Sequence, residues 1–264
     1  MRADVPHLKG SPMHILVSND DGILAPGLLA LATAMRVFGT VTVIGPEENQ
    51  SANGHRKTLT KPLRINSTHL ADGTLAYSTD GAPADCVGVA LLGFIKEPVD
   101  LVVSGINRGP NMGQDLTYSG TLAAAFEGAI FHKPAVAFSL DDRSAEANYS
   151  AAAEIAQRVV RQVIAHSLPP LTLLSVNVPN LPLSHLAGMY ITRQGTSVFR
   201  DELVERVDPS GRPYYWIGGE APTGDLEAEG TDIWAVHNGY VSITPVHLDM
   251  TAHQMIHHLK EWTF

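Results

Sequence analysis

The sequence predicts an α/β fold: a doubly wound, mostly parallel sheet of Rossmann-like three-layer architecture, with a C-terminal β-hairpin and a closing helix. Three observations predict it. Short apolar runs stop at Gly, Pro, Asn or Asp; helical stretches separate them; and the two alternate through about residue 180, beyond which extended segments take over.

Met13-His14-Ile15-Leu16-Val17-Ser18 reads as a buried strand stopped by Asn19-Asp20-Asp21-Gly22. Pro26 suits a first helical position, and Leu28, Leu31, Ala32, Met35 and Phe38 recur three or four apart until Gly39 closes the pattern. Val41 to Ile44 is a second strand stopped by Gly45-Pro46, so the opening is a βαβ unit with parallel strands and a right-handed crossover. After a polar loop from Glu47 to Lys61, Leu63 to Ile65 and Leu75 to Ser78 read as short strands of a hairpin around Asp72-Gly73. Ala84 to Phe94 reads as helix, Val99 to Val103 as strand, Ser119 to Phe131 as an Ala-rich helix and Ala135 to Leu140 as strand. Ala145 to His166 is a long helix and Leu171 to Val178 a further strand.

In the last third, Gly188 to Thr192, Thr196 to Val207, Pro213 to Ile217 and Val241 to Thr244 read as extended, and Met250 to Trp262 as a closing helix. Pro213-Tyr214-Tyr215-Trp216-Ile217 lies in a segment, Pro209 to Gly230, expected to protrude as a hairpin with a long loop, and its apolar surface suits a subunit contact, the alternative being a small β lobe folded onto its own domain. The expected organisation is a loose extension over residues 1–12, a catalytic domain over 13–180 and an assembly segment over 181–264.

Composition narrows the function. With 44% hydrophobic and 17% charged residues the chain should fold as a compact soluble protein. A formal net charge of -9 argues against nucleic acid as partner, because backbone phosphates are bound by Lys and Arg. An anionic substrate therefore needs a local attractor. One cysteine, Cys86, allows no internal disulfide and points to the cytoplasm; no stretch approaches the roughly 20 apolar residues that span a membrane.

Asp20 and Asp21 follow the first strand at its carboxyl end, where open parallel sheets bind ligands. Adjacent carboxylates repel each other, and keeping both ionised in a cleft needs a cation, with hard oxygens favouring Mg²⁺ or Mn²⁺. The Val99 strand runs into Ser104-Gly105-Ile106-Asn107-Arg108-Gly109-Pro110-Asn111-Met112-Gly113, a loop whose backbone can approach a ligand closely. If that strand lies beside the first, across the point where strand order reverses, Asn107 comes to the Asp pair and can offer a neutral oxygen. Tyr118-Ser119-Gly120-Thr121 opens a helix, offering N–H groups, hydroxyls and a helix dipole to a phosphate. Taken alone, each cluster also has a structural reading as a turn, a Gly-Asn loop or a helix cap.

Together these clusters, with Ala25-Pro26-Gly27, Pro46, Asn49-Gln50-Ser51 and Pro83-Ala84-Asp85-Cys86-Val87, resemble the survival protein E (SurE) family of stationary-phase nucleotidases. The resemblance implies a divalent-metal-dependent phosphatase that hydrolyses nucleoside 5′- and 3′-monophosphates, often with exopolyphosphatase activity, and that forms homodimers or homotetramers. It implies one Mg²⁺ or Mn²⁺ per subunit held by Asp20, Asp21, Ser51 and Asn107. Catalytic positions fall on Asp20, Asp21, Asn111 and Ser119, and phosphate contacts on Ser104, Gly105, Asn107, Ser119, Gly120 and Thr121. The sequence departs from the family pattern at Ala82, where Thr is usual, and at Ala123, where Gly is frequent.

Two other classes compete. Phosphatases of the haloacid dehalogenase type place a second Asp two positions after the nucleophile, whereas Asp20 and Asp21 are adjacent. A nucleotide- or polyphosphate-binding protein without catalysis would release no phosphate. No Gly-x-Gly-x-x-Gly follows the first strand, which counts against a dinucleotide-dependent dehydrogenase. Cys86, in an apolar helical stretch, reads as inert packing. His247, His253, His257 and His258 lack the carboxylate of a zinc-protease helix and read as an exposed or interfacial face.

Overall fold

A computed structural model describes residues 13–263; the extension expected over residues 1–12 lies outside the described residues. The first half runs β1 (Met13–Ser18), α1 (Pro26–Met35), β2 (Gly39–Pro46), β3 (Ile65–His69), β4 (Leu75–Thr79), α2 (Pro83–Val89), β5 (Leu101–Arg108) and α3 (Gly120–Ile130). There follow β6 (Ala135–Asp141), α4 (Ser150–His166), β7 (Thr172–Pro179), β8 (Gly188–Ile191), β9 (Ser197–Val207), β10 (Pro213–Gly224), α5 (Asp232–His237), β11 (Tyr240–His247) and α6 (His253–Leu259). One sheet has the order β3-β4-β2-β1-β5-β6-β7-β11-β8, and β9 and β10 form a separate antiparallel pair.

Parallel pairing runs through β4, β2, β1, β5, β6 and β7, with antiparallel pairs at β3/β4 and β7/β11. The chain leaves β1 towards β2 and later returns to its other side as β5, so the strand order reverses between β1 and β5. Loops from the two strands diverge there and leave a crevice at their carboxyl ends.

Alternation along the strands divides the core. Ile15, Val17 and Val103 meet Leu28, Leu31 and Met35 of α1 and Ile155, Val159 and Val163 of α4 on one face. Leu16 and Val102 meet Cys86 and Val87 of α2 and Leu122 and Ala125 of α3 on the other. This is the expected three-layer arrangement. Among the described residues no helix is long and apolar enough to cross a membrane.

Several elements differ from the sequence reading. The strand expected at Leu63 forms two residues later, because Asp80 holds Lys61 Nζ at 2.8 Å and the Arg64 N–H at 2.9 Å, bending 61–64 into a turn. The long helix starts at Ser150 rather than Ala145, since the Asn148 side chain accepts the Ser150 N–H at 3.0 Å. The closing helix is shorter at both ends; at its start the Asp249 carboxylate accepts the Thr251 N–H at 2.9 Å. Beyond residue 180, β8 and β11 extend the main sheet and only β9 and β10 leave it. Helix α5 was not foreseen: its six residues, DIWAVH, are too few to show a period.

The polar loop between β2 and β3 is fastened across the α2/α3 face. Buried Glu127 of α3 has His55 Nε2 2.8 Å from Oε1 and Lys57 Nζ 3.1 Å from Oε2. Asp85 of α2 accepts the Thr58 N–H at 3.0 Å and the Ala82 N–H at 2.8 Å, and the Gly54 N–H donates to Tyr118 O at 2.9 Å. Burial pushes the Glu127 carboxyl up, but the bonds from His55 and Lys57 outweigh it and hold it below the ordinary 4.5. Such a group adds stability above its unfolded value and loses that contribution as pH falls through its lowered folded value. Glu127→Gln should therefore cost about 1–3 kcal/mol at neutral pH. Denaturant titrations at several pH values should show the difference from wild type shrinking below pH 4.5.

Candidate active site

The acidic turn closes β1 and enters the crevice. Asn19 shapes it from within: this buried amide donates from Nδ2 to Gly22 O at 2.9 Å. The Asp20 side chain is only 3% exposed, and burial, reinforced by the neighbouring Asp21 charge against an opposing bond from Thr121, pushes its pKa up to about 6. Asp21 is less buried; desolvation raises it too, while the Arg108 N–H, donating to Oδ2 at 2.9 Å, and the Arg108 charge pull it back. Two adjacent carboxylates whose protons are held by desolvation are in the condition that a bound cation relieves.

Asp20 faces the start of α3. The Thr121 hydroxyl donates to Asp20 Oδ1, and Gly120 lies so near that a Cβ there would fall 2.7 Å from Asp20 Cβ and 2.9 Å from Oδ2. Ser119 caps the helix, its Oγ accepting the Leu122 N–H at 3.1 Å. The helix start thus has a carboxylate of the chain at its positive end. Thr121 is committed to Asp20 and the Leu122 N–H to Ser119, whereas the Gly120 N–H has no hydrogen-bond partner among the described residues.

Two further segments reach the pair. The Gln50 N–H donates to Asp20 O at 2.8 Å, Asn49 Nδ2 lies 3.5 Å from Asp21 Oδ1, and the Ser51 N–H donates to Asn49 Oδ1 at 2.8 Å, which brings exposed Ser51 alongside. From β5, the Arg108 N–H that reaches Asp21 belongs to the residue that follows Asn107. Asn107 donates from Nδ2 to Gly109 O at 2.8 Å, and its Oδ1 has no hydrogen-bond partner among the described residues.

The remaining expected residues flank this centre. Ser104 is fully buried with an unpartnered hydroxyl, and a Cβ on Gly105 would fall 2.2 Å from Phe138 O. The glycine is required by contact with β6. Asn111 is tied to β6 and β7 rather than to the Asp pair: Nδ2 donates to Ser139 Oγ at 2.8 Å, while buried Asn177 accepts the Asn111 N–H at 2.8 Å and donates to Asn111 O at 3.0 Å.

Ser139 and Asn177 were not singled out from the sequence, and Asn49 entered only as part of the Asn49-Gln50-Ser51 motif, without a role. Asn177 carried a signal, an amide inside the apolar run of β7. Burial pushes the Cys86 thiol up, which keeps it protonated and unreactive. His253 pairs with exposed Asp249 at 2.8 Å.

Among the described residues no three His, Cys, Asp or Glu side chains gather as a metal cage. A cation at Asp20 and Asp21 would complete its shell from neutral oxygens, and the unpartnered Asn107 Oδ1 and the adjacent Ser51 fit that need. Such an all-oxygen set suits Mg²⁺ or Mn²⁺.

Comparison with known proteins agrees with this architecture. A family profile described as Survival protein SurE matches residues 15–201. The chain is 53% identical over 252 residues to 5'-nucleotidase SurE 1 of Thermus thermophilus, covering 94% of this chain and 97% of that protein. It is 50% identical over 240 residues to 5'-nucleotidase SurE of Herpetosiphon aurantiacus, covering 90% and 94% respectively. The crystal structure of the SurE protein from Aquifex aeolicus superimposes with a TM-score of 0.80 at 40% identity, covering 94% of this chain and 98% of that one. With half its length or more matched by the profile, and relatives this similar spanning nearly all of it, the chain belongs to the Survival protein SurE family.

Proposed function

We propose that the protein is a nucleotidase that hydrolyses nucleoside 5′- and 3′-monophosphates, and polyphosphate ends, using one divalent metal ion per subunit. The observation that carries this reading is the meeting of Asp20, one of the adjacent Asp20–Asp21 pair, with the start of α3, through the Thr121 hydroxyl and the Cβ-free approach of Gly120. The relatives' designation as 5'-nucleotidases supports the substrate class.

Asp20, Asp21, Asn107 Oδ1 and Ser51 would hold the ion. Mg²⁺ or Mn²⁺ held there would supply positive charge against the phosphoryl oxygens and would lower the pKa of a water. The Gly120 N–H and the Ser119 hydroxyl, at the helix start, and Asn107 orient the phosphate, with Ser104 and Gly105 beneath them and Asn111 on the β6 side. Phosphate monoesters need accelerations up to about 10²¹-fold, and a general base supplies roughly 10²- to 10⁴-fold, so fixed charge and dipoles carry most of the effect.

Assembly belongs to the same reading. Trp216 is 64% and Ile217 80% exposed on the hairpin, and Met250 is 81% exposed before α6, a surface that a homodimer or homotetramer would cover. Light scattering at micromolar protein should give the mass of an oligomer; a monomer would remove this part of the proposal and leave the site untouched.

Chelation of divalent metal should abolish phosphate release from nucleoside monophosphates, and added Mn²⁺ or Mg²⁺ should restore it. Undiminished turnover by metal-free enzyme would overturn the mechanism, and phosphate trapped on Asp20 would establish an Asp-nucleophile route instead.

Metal and phosphate contacts separate by mutation. Asp21→Asn should lower activity about 10²-fold or more and weaken metal affinity, with partial rescue by excess Mn²⁺. Ser119→Ala should lower activity by up to about 10²- to 10³-fold at unchanged metal dependence, and cost about 1 kcal/mol of stability through the lost cap. Metal titrations of both variants by activity and calorimetry check the distinction.

A further inference from the structure

Asp232 is a buried carboxylate outside the proposed chemistry, 0% exposed at the start of α5. Its Oδ2 accepts the Gly113 N–H at 2.9 Å, and its Oδ1 accepts the N–H groups of Gly195 and Ile233 at 2.8 Å each. One side chain therefore joins the loop after β5 to the segment that enters β9. Asp232 lies 119 residues from Gly113 in sequence, so only the tertiary fold makes this junction.

Both distant donors are glycines in contact too close for a side chain. A Cβ on Gly113 would fall 2.3 Å from Ser197 Oγ, and one on Gly195 would fall 2.7 Å from Asp232 Oδ1. Parallel ties secure the same joint. Gln194 Nε2 donates to Gly113 O at 2.8 Å, the Ser197 N–H donates to Gln114 Oε1, and Ser197 Oγ donates to Met112 O at 3.4 Å. Two residues before Gly113 stands Asn111, whose own backbone is clasped by Asn177. The loop carrying Asn111 is thus held by Asn177 at one end and Asp232 at the other.

We propose that Asp232 is a positioning residue of the hydrolytic site: it fixes the 109–117 loop, and with it Asn111, to the root of the β9–β10 hairpin. The inference rests on the reading of Asn111 as an active-site residue. Asp232 touches neither phosphate nor metal. It acts by setting where the Asn111 amide stands, and a misplacement of about 1 Å in a positioned group can cost on the order of 10²-fold in rate.

The test is a double-mutant cycle on the full-length enzyme, with kcat and KM on a nucleoside monophosphate and Mn²⁺ affinity by calorimetry. Asp232→Asn keeps the shape but replaces one carboxylate oxygen with an NH2 donor, so one of the two glycine N–H groups loses its acceptor and faces another donor. It should lower kcat about 10- to 100-fold while metal affinity stays within about twofold. In an Asn111→Ala background the same change should cost no more than about twofold, because the group it positions is already gone. A loss of equal size in both backgrounds, or Asp232→Asn with wild-type kcat, would overturn the proposal. So would Asn111→Ala with wild-type kcat. If Asp232→Asn fails to fold, Gln194→Ala, which removes only the tie to Gly113 O, enters the same cycle and is judged by the same non-additivity. Wild-type enzyme inactive on every nucleotide tried, with metal present, would count against the nucleotidase reading itself rather than against the clamp alone.

Discussion

The contact between Asp20 and the first turn of α3 is the constraint on which the rest of the crevice depends. β1 brings a carboxylate to the carboxyl edge of the sheet, and α3 meets it with a Thr121 hydroxyl and a glycine that leaves room for it. The same glycine position faces α2: a Cβ there would also fall 3.1 Å from Pro83 Cγ. β1, α2 and α3 therefore converge on one point, where the side chains of Asp20 and Pro83 pack onto the bare backbone of Gly120.

The loops around this point are made rigid by buried carboxylates and amides rather than by apolar packing. On the α2/α3 face, Glu127 and Asp85 gather the polar loop that carries Asn49 and Ser51. Beyond β5, Asn177 and Asp232 hold the loop that carries Asn111. Each of these four side chains sits on a helix or strand and reaches out to the backbone or side chains of a loop. Loops tolerate variation and carry chemistry, and a site built on them keeps its geometry only if regular elements fix them.

Electrostatics follow the same local logic. A chain of formal net charge -9 offers no long-range attraction to a phosphate. At the crevice, however, the Asp21 carboxylate draws the Arg108 N–H inward and lies within reach of the Arg108 charge, while the α3 dipole points at Asp20. The acidic pair is thereby faced by donors and the positive end of a helix dipole, and a single added cation would leave a centre suited to an anionic ester, as proposed.

Much of this was legible in the sequence. The periods of Met13 to Gly39 fixed strand, helix and crossover, because a 2-residue and a 3.6-residue repeat cannot be exchanged without exposing the core. The end of β1 and the start of α3 marked the acidic turn and the helix start, since turns and caps are written in local residue chemistry. Short or irregular pieces were misjudged: the Leu63 strand moved because Asp80 captured Lys61 and Arg64, and α5 was too brief to announce itself. By itself the sequence determined the order of elements, the alternation of the core and the residue types at the crevice, all of which depend on neighbours a few positions away. Only the tertiary structure decided that Gly120 must lack a side chain, that Asn177 clasps Asn111 and that Asp232 joins two distant glycines. Those contacts depend on distances between elements, and no local pattern in a chain encodes which buried donor will meet which acceptor a hundred residues away.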